Sequence, residues 1–319
     1  MTDLDLEGVS AEKRESAEKE LRSILRMFFG SEDPESIKSL IIAEDFASKV
    51  HNLSPRGEER KYNPVHGYGV AIAKTIPILE DNTLKFHIII DGKICGTWMP
   101  EQYLWRLGII GHELLHVHND LWRSKTEGIS WLFTEPSKKY ERLYELAWII
   151  WGEYFCEKSL GEAFFTTAKE LGGHVTFDAT LGRLETLKEH LVSLRSYLAE
   201  NIRKFRKCKY TAEDILSTNG QRVLGILMLL AYVYPISEFD PLISDKVSEI
   251  ENTDGYREFI SKTWPTIHNI LRRIYEEKDY DKAKQLLNQV ASEIDKTLVI
   301  CGLEIKDTEK GWWLEVHDI

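Results

Sequence analysis

Cysteine is scarce in this chain, and its few cysteines are widely spaced. No two of them form a CxxC pair, so the sequence indicates neither a disulfide framework nor a zinc ribbon. We expect them to be buried thiols in a reducing compartment. The four cysteines are Cys95, Cys156, Cys208 and Cys301.

Positive charge and long apolar runs are also in short supply. The chain has 41 Lys and Arg against 52 Asp and Glu, and its net charge of −11 disfavours nucleic acid and anionic lipid as partners.

The longest apolar stretch, from Val223 to Tyr234, is about half of a membrane span of ~20 residues, and we expect a core helix there. The N-terminal segment lacks the apolar core of a secretory signal, so we expect a cytoplasmic protein. The sequence does not indicate the oligomeric state.

What the chain does contain is enough apolar sequence for a large core. Its 319 residues are 43% hydrophobic, which suffices for one large domain or two ordinary ones. Amphipathic patterns predict helices over 11–28 and 34–50, the second capped by Asp33. Two β-rich segments, 67–79 and 84–91, are separated by four turn-forming residues and predict a hairpin.

The rest of the chain has helical patterns almost throughout. One helix is predicted from Pro100 to about Asn119 and another from Pro136 into the 160s. Further helices are predicted over 211–235, 241–252, 256–277 and 280–299, with a short hairpin at the C-terminal end. Leucines in steps of three and four predict a helix inside a bundle; they are Leu184, Leu187, Leu191, Leu194 and Leu198.

The predicted fold class is therefore α+β and predominantly helical. A break at Gly172 and Gly173 is the best candidate for a domain boundary. We expect a mixed domain over 1–172, which begins with helices and contains a small sheet. A helical domain over 173–319, ending in a short β-hairpin, follows it.

One motif carries chemistry, the sequence IIGHELLHVH over residues 109–118. His112 and His116 are four apart, so on a helix both imidazoles leave the same face one turn apart. Two neutral imidazoles placed in this way can hold one divalent metal ion, with Glu113 beside them. Given ten histidines in the chain, an HExxH pattern is expected about 0.03 times by chance. Its apolar surroundings predict a buried helix, in which a metal ion satisfies the two histidines.

This motif helix resembles that of the zincin metallopeptidases, closely over His112 to His116 and in general layout over 65–160. The resemblance implies a zinc ion, a small antiparallel sheet before the motif helix, and an edge strand that binds substrate backbone. It places 84–91 at that edge, although their own pattern is that of a core strand. Among the zincins, the chain is similar to the short cytoplasmic ImmA/IrrE-like peptidases. It departs from them at Leu115, where glycine is frequent, and in its long helical second half.

A catalytic zinc takes three protein ligands and a water, so a third ligand is needed. The metzincin pattern is excluded, because Asn119 and Trp122 stand where it requires Gly and then His or Asp. The gluzincin arrangement takes a glutamate from a later helix, and the apolar run AWIIWGEYFCEK over 147–158 supplies two. A carboxylate in so apolar a helix is costly unless it is paired or metal-bound. The resemblance therefore assigns Glu153 as the ligand and Glu157 as the acid that orients a ligating histidine.

Several other residues are weighed for this site. Glu145 and Glu141 are the alternative ligands on the later helix. His118 is left out, because a residue two positions from His116 points to the far side of the helix. The resemblance also implies a donor for the oxyanion from the second half of the chain. The candidates for that donor, among which the sequence does not choose, include Tyr154, His174 and Tyr210.

The function implied by the resemblance is zinc-dependent hydrolysis of peptide bonds in a protein or peptide substrate. Glu113 acts as general base on a zinc-bound water and then delivers the proton to the leaving amine. The exopeptidase motif GxMEN is absent, which favours an endopeptidase. The alternative is a non-catalytic or regulatory zinc-binding protein whose helical half binds a protein partner. A third reading, a helical scaffold with an accidental HExxH, predicts that no metal is bound.

Overall fold

The structure is a computed structural model of the chain, and it forms two compact units. The first is Met1–Phe133 and the second is Thr134–Ile319. The residues that the structure describes are 2–54, 65–66, 69–95, 98–99, 102–132, 134, 136–170, 178–309 and 311–319.

The first unit combines a small sheet with helices. Its strands are β1 (Asp3–Asp5), β2 (Ile37–Ala43), β3 (Val65–His66), β4 (Gly69–Val70), β5 (Ala73–Glu80) and β6 (Thr83–Asp91). Its helices are α1 (Arg14–Phe29), α2 (Phe46–Leu53), α3 (Gly92–Cys95) and α4 (Tyr103–Glu127), with short 3-10 turns at Ala11–Lys13 and Ser130–Leu132. The helices predicted over 11–28 and after Pro100 are confirmed as α1 and α4.

The main sheet has four strands in the order β1-β2-β6-β5. Strands β1, β2 and β6 are mutually parallel, whereas β5 is antiparallel to β6. The sheet before the motif helix is thus mixed, and the expectation of an antiparallel sheet is wrong in this respect. The α+β class with mainly helical content is confirmed.

The helix predicted over 34–50 is wrong for most of its length. Residues Ile37–Ala43 form β2, and a helix begins only at Phe46. Strand β2 lies between β1 and β6, and all but one of its side chains are buried. Because both faces of such a strand are covered, its sequence is a nearly continuous apolar run that also fits a helix. The carboxylate of Asp33, predicted as N-cap, accepts instead a hydrogen bond from the main-chain N–H of Thr2.

The predicted hairpin is confirmed as β5 and β6, but the edge strand is not the predicted one. Asp81 and Asn82 have φ of 50° and 59°, as a two-residue type I′ turn requires. Strand β6 lies between β2 and β5, so residues 84–91 belong to a core strand, as their own pattern indicates. Among the described strands, β1 and β5 are the two edges of the sheet, and β5 lies next to the motif helix α4.

Helices cover both faces of this sheet. On one face, Phe46 and Val50 of α2 pack with Ile41, Ile76 and Ile89 of three neighbouring strands. On the other face, α4 packs against β5 and β6, and α1 packs against α4. This arrangement fixes α4 against the edge strand.

A buried ion pair anchors the beginning of α4. The guanidinium of Arg106, 1% exposed, donates from Nε and Nη2 to the two carboxylate oxygens of Glu20 on α1, both at 2.7 Å. Its Nη1 donates to the main-chain oxygen of Met99 at 2.9 Å, and its Cζ lies 4.5 Å from the centre of the Trp98 ring. Arg106 therefore joins α1, α4 and the segment before α4.

Replacing Arg106 by Met should lower the free energy of unfolding by about 3–5 kcal/mol, because it leaves the Glu20 carboxylate largely buried without its guanidinium. Urea unfolding of the variant and the wild type measures this. The control is Arg22→Met, since Arg22 pairs with Glu18 at the surface of α1 and should cost less than about 1 kcal/mol. A loss below about 1 kcal/mol for Arg106→Met would show that the pair does not anchor α4.

The second unit is almost wholly helical. Its helices are α5 (Lys139–Glu170), α6 (Asp178–Val192), α7 (Leu194–Arg206), α8 (Ala212–Ile215), α9 (Gln221–Ser237), α10 (Pro241–Glu251), α11 (Trp264–Glu277) and α12 (Tyr280–Ile300). Two strands follow, β7 (Leu303–Thr308) and β8 (Gly311–Val316), which form the expected antiparallel hairpin. The predicted leucine seam is confirmed as bundle core, since all five leucines are at most 3% exposed, but it runs over two helices, α6 and α7, and not over one.

Helix α5 belongs with the second unit. It packs against α9, α11 and α12. The two units meet in sequence at 133–134, before α5, whereas the predicted boundary at Gly172 and Gly173 lies outside the described residues. The helix that carries Glu153 and Glu157 is therefore part of the helical unit.

One helical segment of the described chain, Ala212–Ser237, is long and apolar enough to span a membrane by those two criteria alone. Of its most apolar window, 67% is buried inside the protein. Its main part, α9, packs against α5, α6 and α10. This burial agrees with the core helix predicted over Val223 to Tyr234.

Candidate metal site

The HExxH residues lie near the middle of α4, a helix of 25 residues without proline. Leu114 and Val117 are fully buried, which places one face of this stretch in the core of the first unit. His112 and His116 are half-buried beside that face. The helical spacing of the motif therefore holds in the structure.

The two histidines converge on one point. Their rings are nearly perpendicular, at 77°, and the two Nε2 atoms are 3.1 Å apart. Two nitrogens bound to one tetrahedral zinc at roughly 2.0–2.1 Å are about 3.3 Å apart. The observed separation therefore fits two ligands of one zinc ion. It also fits an N–H···N hydrogen bond between two neutral imidazoles, and a metal-binding measurement distinguishes the two.

Glu113 is held beside the histidines by a strand residue. Its side chain is 8% exposed, and the Oγ1 of Thr75 on β5 lies 2.7 Å from its Oε2. The same Oγ1 is 3.0 Å from the main-chain oxygen of Glu113. In the described part of the chain, Thr75 is the only side chain that hydrogen-bonds to this carboxylate. The predicted general base thus has a fixed position.

His118 faces away from this pair, as predicted. Its Nε2 lies 3.1 Å from the main-chain oxygen of Phe28, and its ring stacks on Phe29 with centroids 4.4 Å apart. Burial lowers the pKa of His118, so a neutral ring with a proton on Nε2 donates to Phe28. His118 therefore contacts α1, and its exclusion as a ligand stays a prediction.

In the second unit, the predicted third ligand has a tyrosine partner. Glu153 is half-buried on α5, and its carboxylate lies beside the hydroxyl of Tyr232 on α9. Burial first, and then the negative charge of Glu153, raise the pKa of Tyr232 well above its usual range. The phenol is therefore protonated at neutral pH and keeps a proton that it can share with Glu153.

Glu157, one turn later on α5, pairs with an arginine. Its Oε1 lies 2.6 Å from Nη1 of Arg183 on α6, and its side chain is 9% exposed. The Cζ of Arg183 lies 4.0 Å from the centre of the Tyr232 ring. Arg183 and Tyr232 together explain how two carboxylates are tolerated on so apolar a helix. The predicted role of Glu157 toward a histidine stays a prediction.

The other residues considered for the site have local surroundings of their own. Tyr154 is fully buried, with its ring beside Trp151 and His268, and Tyr210 lies near Lys204 at the end of α7. His174 lies outside the described residues. Glu141 accepts hydrogen bonds from the main-chain N–H groups of Ser137 and Lys138, which lower its pKa. Glu141 thus caps the start of α5.

Three residues of these surroundings were not predicted: Thr75, Arg183 and Tyr232. No local sequence pattern marks Thr75 or Arg183 as part of a site. Thr75 lies within a β-rich segment, and Arg183 lies beside the leucine seam. Tyr232 does have one, because a tyrosine within the most apolar helix of the chain needs a partner for its hydroxyl.

The chain matches no protein-family model, no curated protein and no solved structure. The resemblance to zincin metallopeptidases therefore depends on the HExxH residues and their geometry.

Proposed function

We propose that this protein is a zinc-dependent metallopeptidase that hydrolyses peptide bonds of a protein or peptide substrate. The observation that carries the proposal is the pair of Nε2 atoms of His112 and His116, 3.1 Å apart, with a buried glutamate next to the first histidine. A helix that brings two half-buried histidines and a buried glutamate together has the composition of a metal site with its own acid–base residue.

His112 and His116 would hold the zinc ion, together with Glu153 as the predicted third ligand. A bound zinc ion would act as a Lewis acid that polarises the scissile carbonyl and makes a water more acidic. In the second unit, the protonated hydroxyl of Tyr232 lies beside the carboxylate of Glu153, and a hydrogen-bond donor beside a ligating carboxylate is usual. If Glu153 is not the ligand, Glu157 and Glu145 are the alternatives on the same helix.

Glu113 is proposed as the general base. Its Oε2 is bonded to Thr75, which leaves Oε1 to take a proton from the attacking water. The protonated carboxyl then gives that proton to the amine that leaves when the peptide C–N bond breaks. The same residue thus acts first as base and then as acid.

Strand β5 is proposed to bind the substrate backbone. Glu80 and Thr83 flank the two-residue turn and form a hydrogen-bonded pair. Every second residue of β5, counted from Glu80, bonds to β6 in the same way. Thr75 lies between two such residues, so its main-chain N–H and C=O point away from β6. The main chain of Pro77 also points away from β6. Proline has no N–H, and at this position β6 would not have accepted a hydrogen bond from one. An extended peptide can add to this edge, and its ladder would lose one hydrogen bond at Pro77.

The remaining expectations complete the proposal. The net charge of −11 supports a protein or peptide as the partner, and neither nucleic acid nor membrane. We propose a cytoplasmic location.

The test is incubation of the zinc-loaded protein with a mixture of peptides, of which half have both termini chemically blocked. Mass spectrometry then identifies the cleavage products. The zinc-loaded protein should cleave blocked peptides, as an endopeptidase does, and 1,10-phenanthroline should abolish cleavage until zinc is added back. Zinc-loaded protein that cleaves neither blocked nor free peptides would contradict the proposal and favour the non-catalytic zinc-binding alternative.

A further inference from the structure

The hydrogen bond between Thr75 and Glu113 joins the edge strand to the motif helix. It links residues 38 positions apart in the sequence, at 2.7 Å between Oγ1 and Oε2. The acceptor is a carboxylate with only 8% of the residue exposed, so few water molecules can replace the hydroxyl. A hydrogen bond to a charged, buried acceptor is among the stronger ones in proteins.

The hairpin register determines where Thr75 points. Thr75 pairs with Ile88, and the side chains of neighbouring residues on β5 alternate between the two faces of the sheet. Ile76 lies on the face covered by α2, so Thr75 lies on the face covered by α4. A shift of one residue in the register would remove the hydroxyl from Glu113 altogether.

We infer that Thr75 is a positioning residue for Glu113 and makes one of its two carboxylate oxygens available for proton transfer. This inference rests on the proposed peptidase function. With Oε2 bonded to Thr75, the carboxylate cannot rotate freely, and Oε1 is presented in one direction. Because the main chain of Thr75 also points away from β6, one residue would contact the proposed substrate backbone and orient the base.

The kinetic test compares Thr75→Val with Thr75→Ser. Valine keeps the shape and removes the donor, so kcat should fall about 10- to 100-fold while KM and zinc content stay unchanged. Serine keeps the hydroxyl and should retain most of the wild-type kcat. Thr83→Val, the same change at an exposed position of the hairpin, is the matched control and should have no effect on kcat.

A second readout needs no activity. The measurement is the midpoint of thermal unfolding of the zinc-free protein. It is compared between the wild type, Thr75→Val, Glu113→Ala and the double variant, which together form a double-mutant cycle. The two single changes should be non-additive, because either one already removes the same hydrogen bond. Thr83→Val combined with Glu113→Ala should be additive.

The outcomes separate this inference from the function on which it rests. If the wild type cleaves peptides and Thr75→Val does so with unchanged kcat, Thr75 does not position the base and only the inference fails. Additivity in the cycle also overturns it. If the wild type cleaves no peptide, the proposed function fails and the inference fails with it, while a non-additive cycle would still show a structural bond.

Discussion

Replacing Glu113 by Gln should lower kcat/KM for peptide cleavage by about 10²–10⁴-fold, the usual contribution of a general acid–base group. Glutamine has nearly the same shape and can still accept a hydrogen bond from Thr75, but its amide cannot take a proton from water. The buried position of Glu113 means that no nearby solvent-exposed group replaces it easily. Steady-state kinetics on the best peptide from the cleavage screen measures the loss.

The control for this variant is the same substitution at an exposed glutamate. Glu15 on α1 has 83% of its side chain exposed, and Glu15→Gln should leave kcat/KM unchanged. Zinc content and the midpoint of thermal unfolding should match the wild type in both variants. Full activity in Glu113→Gln would show that Glu113 is not the general base.

Replacing His112 by Ala should abolish zinc-dependent stability. A ligand that binds the folded state at 100 times its Kd stabilises that state by about 2.7 kcal/mol, which raises the Tm of a chain of this size by roughly 5 °C. The wild type should show this rise when zinc is added to the chelated protein. His112→Ala should show none, because a structural or catalytic zinc needs at least three protein ligands. Thermal unfolding with and without zinc measures the difference.

The matched control is His118→Ala, the same change on the same helix. His118 bonds to Phe28 on the other side of α4, so the variant should keep the zinc-dependent rise whatever its baseline Tm. A zinc-dependent rise that persists in His112→Ala would contradict the proposed ligands. Loss of the rise in His118→Ala would likewise contradict them.

How far the sequence predicts the fold depends on whether an element is specified locally. The hairpin of β5 and β6 was predictable, because two β-rich runs flank the turn at Asp81 and Asn82. Strand β2 was not, because Ile37–Ala43 has a continuous apolar run and its strand conformation depends on neighbours far away in sequence. For the same reason, the sequence did not reveal that the sheet is mixed or that β5 lies at one of its edges.

The candidate site likewise has residues whose arrangement is specified locally and residues whose partners are not. The spacing of His112, Glu113 and His116 specifies a one-turn arrangement on any helix, so their convergence was predictable. The partners of the acids were not, because Thr75 and Arg183 lie 38 and 26 positions away from Glu113 and Glu157. Such partners are set by tertiary packing, which one sequence does not encode in any local pattern.

The zinc content of the purified protein tests the central claim most directly. Elemental analysis of protein prepared without chelator should give about one zinc per chain for the wild type and for His118→Ala, and close to none for His116→Ala. A fall in Glu153→Ala as well would identify the third ligand, whereas unchanged zinc there would move that role to Glu157 or Glu145. A folded wild type without zinc would contradict the metal site and leave the 3.1 Å pair as a hydrogen bond between two histidines.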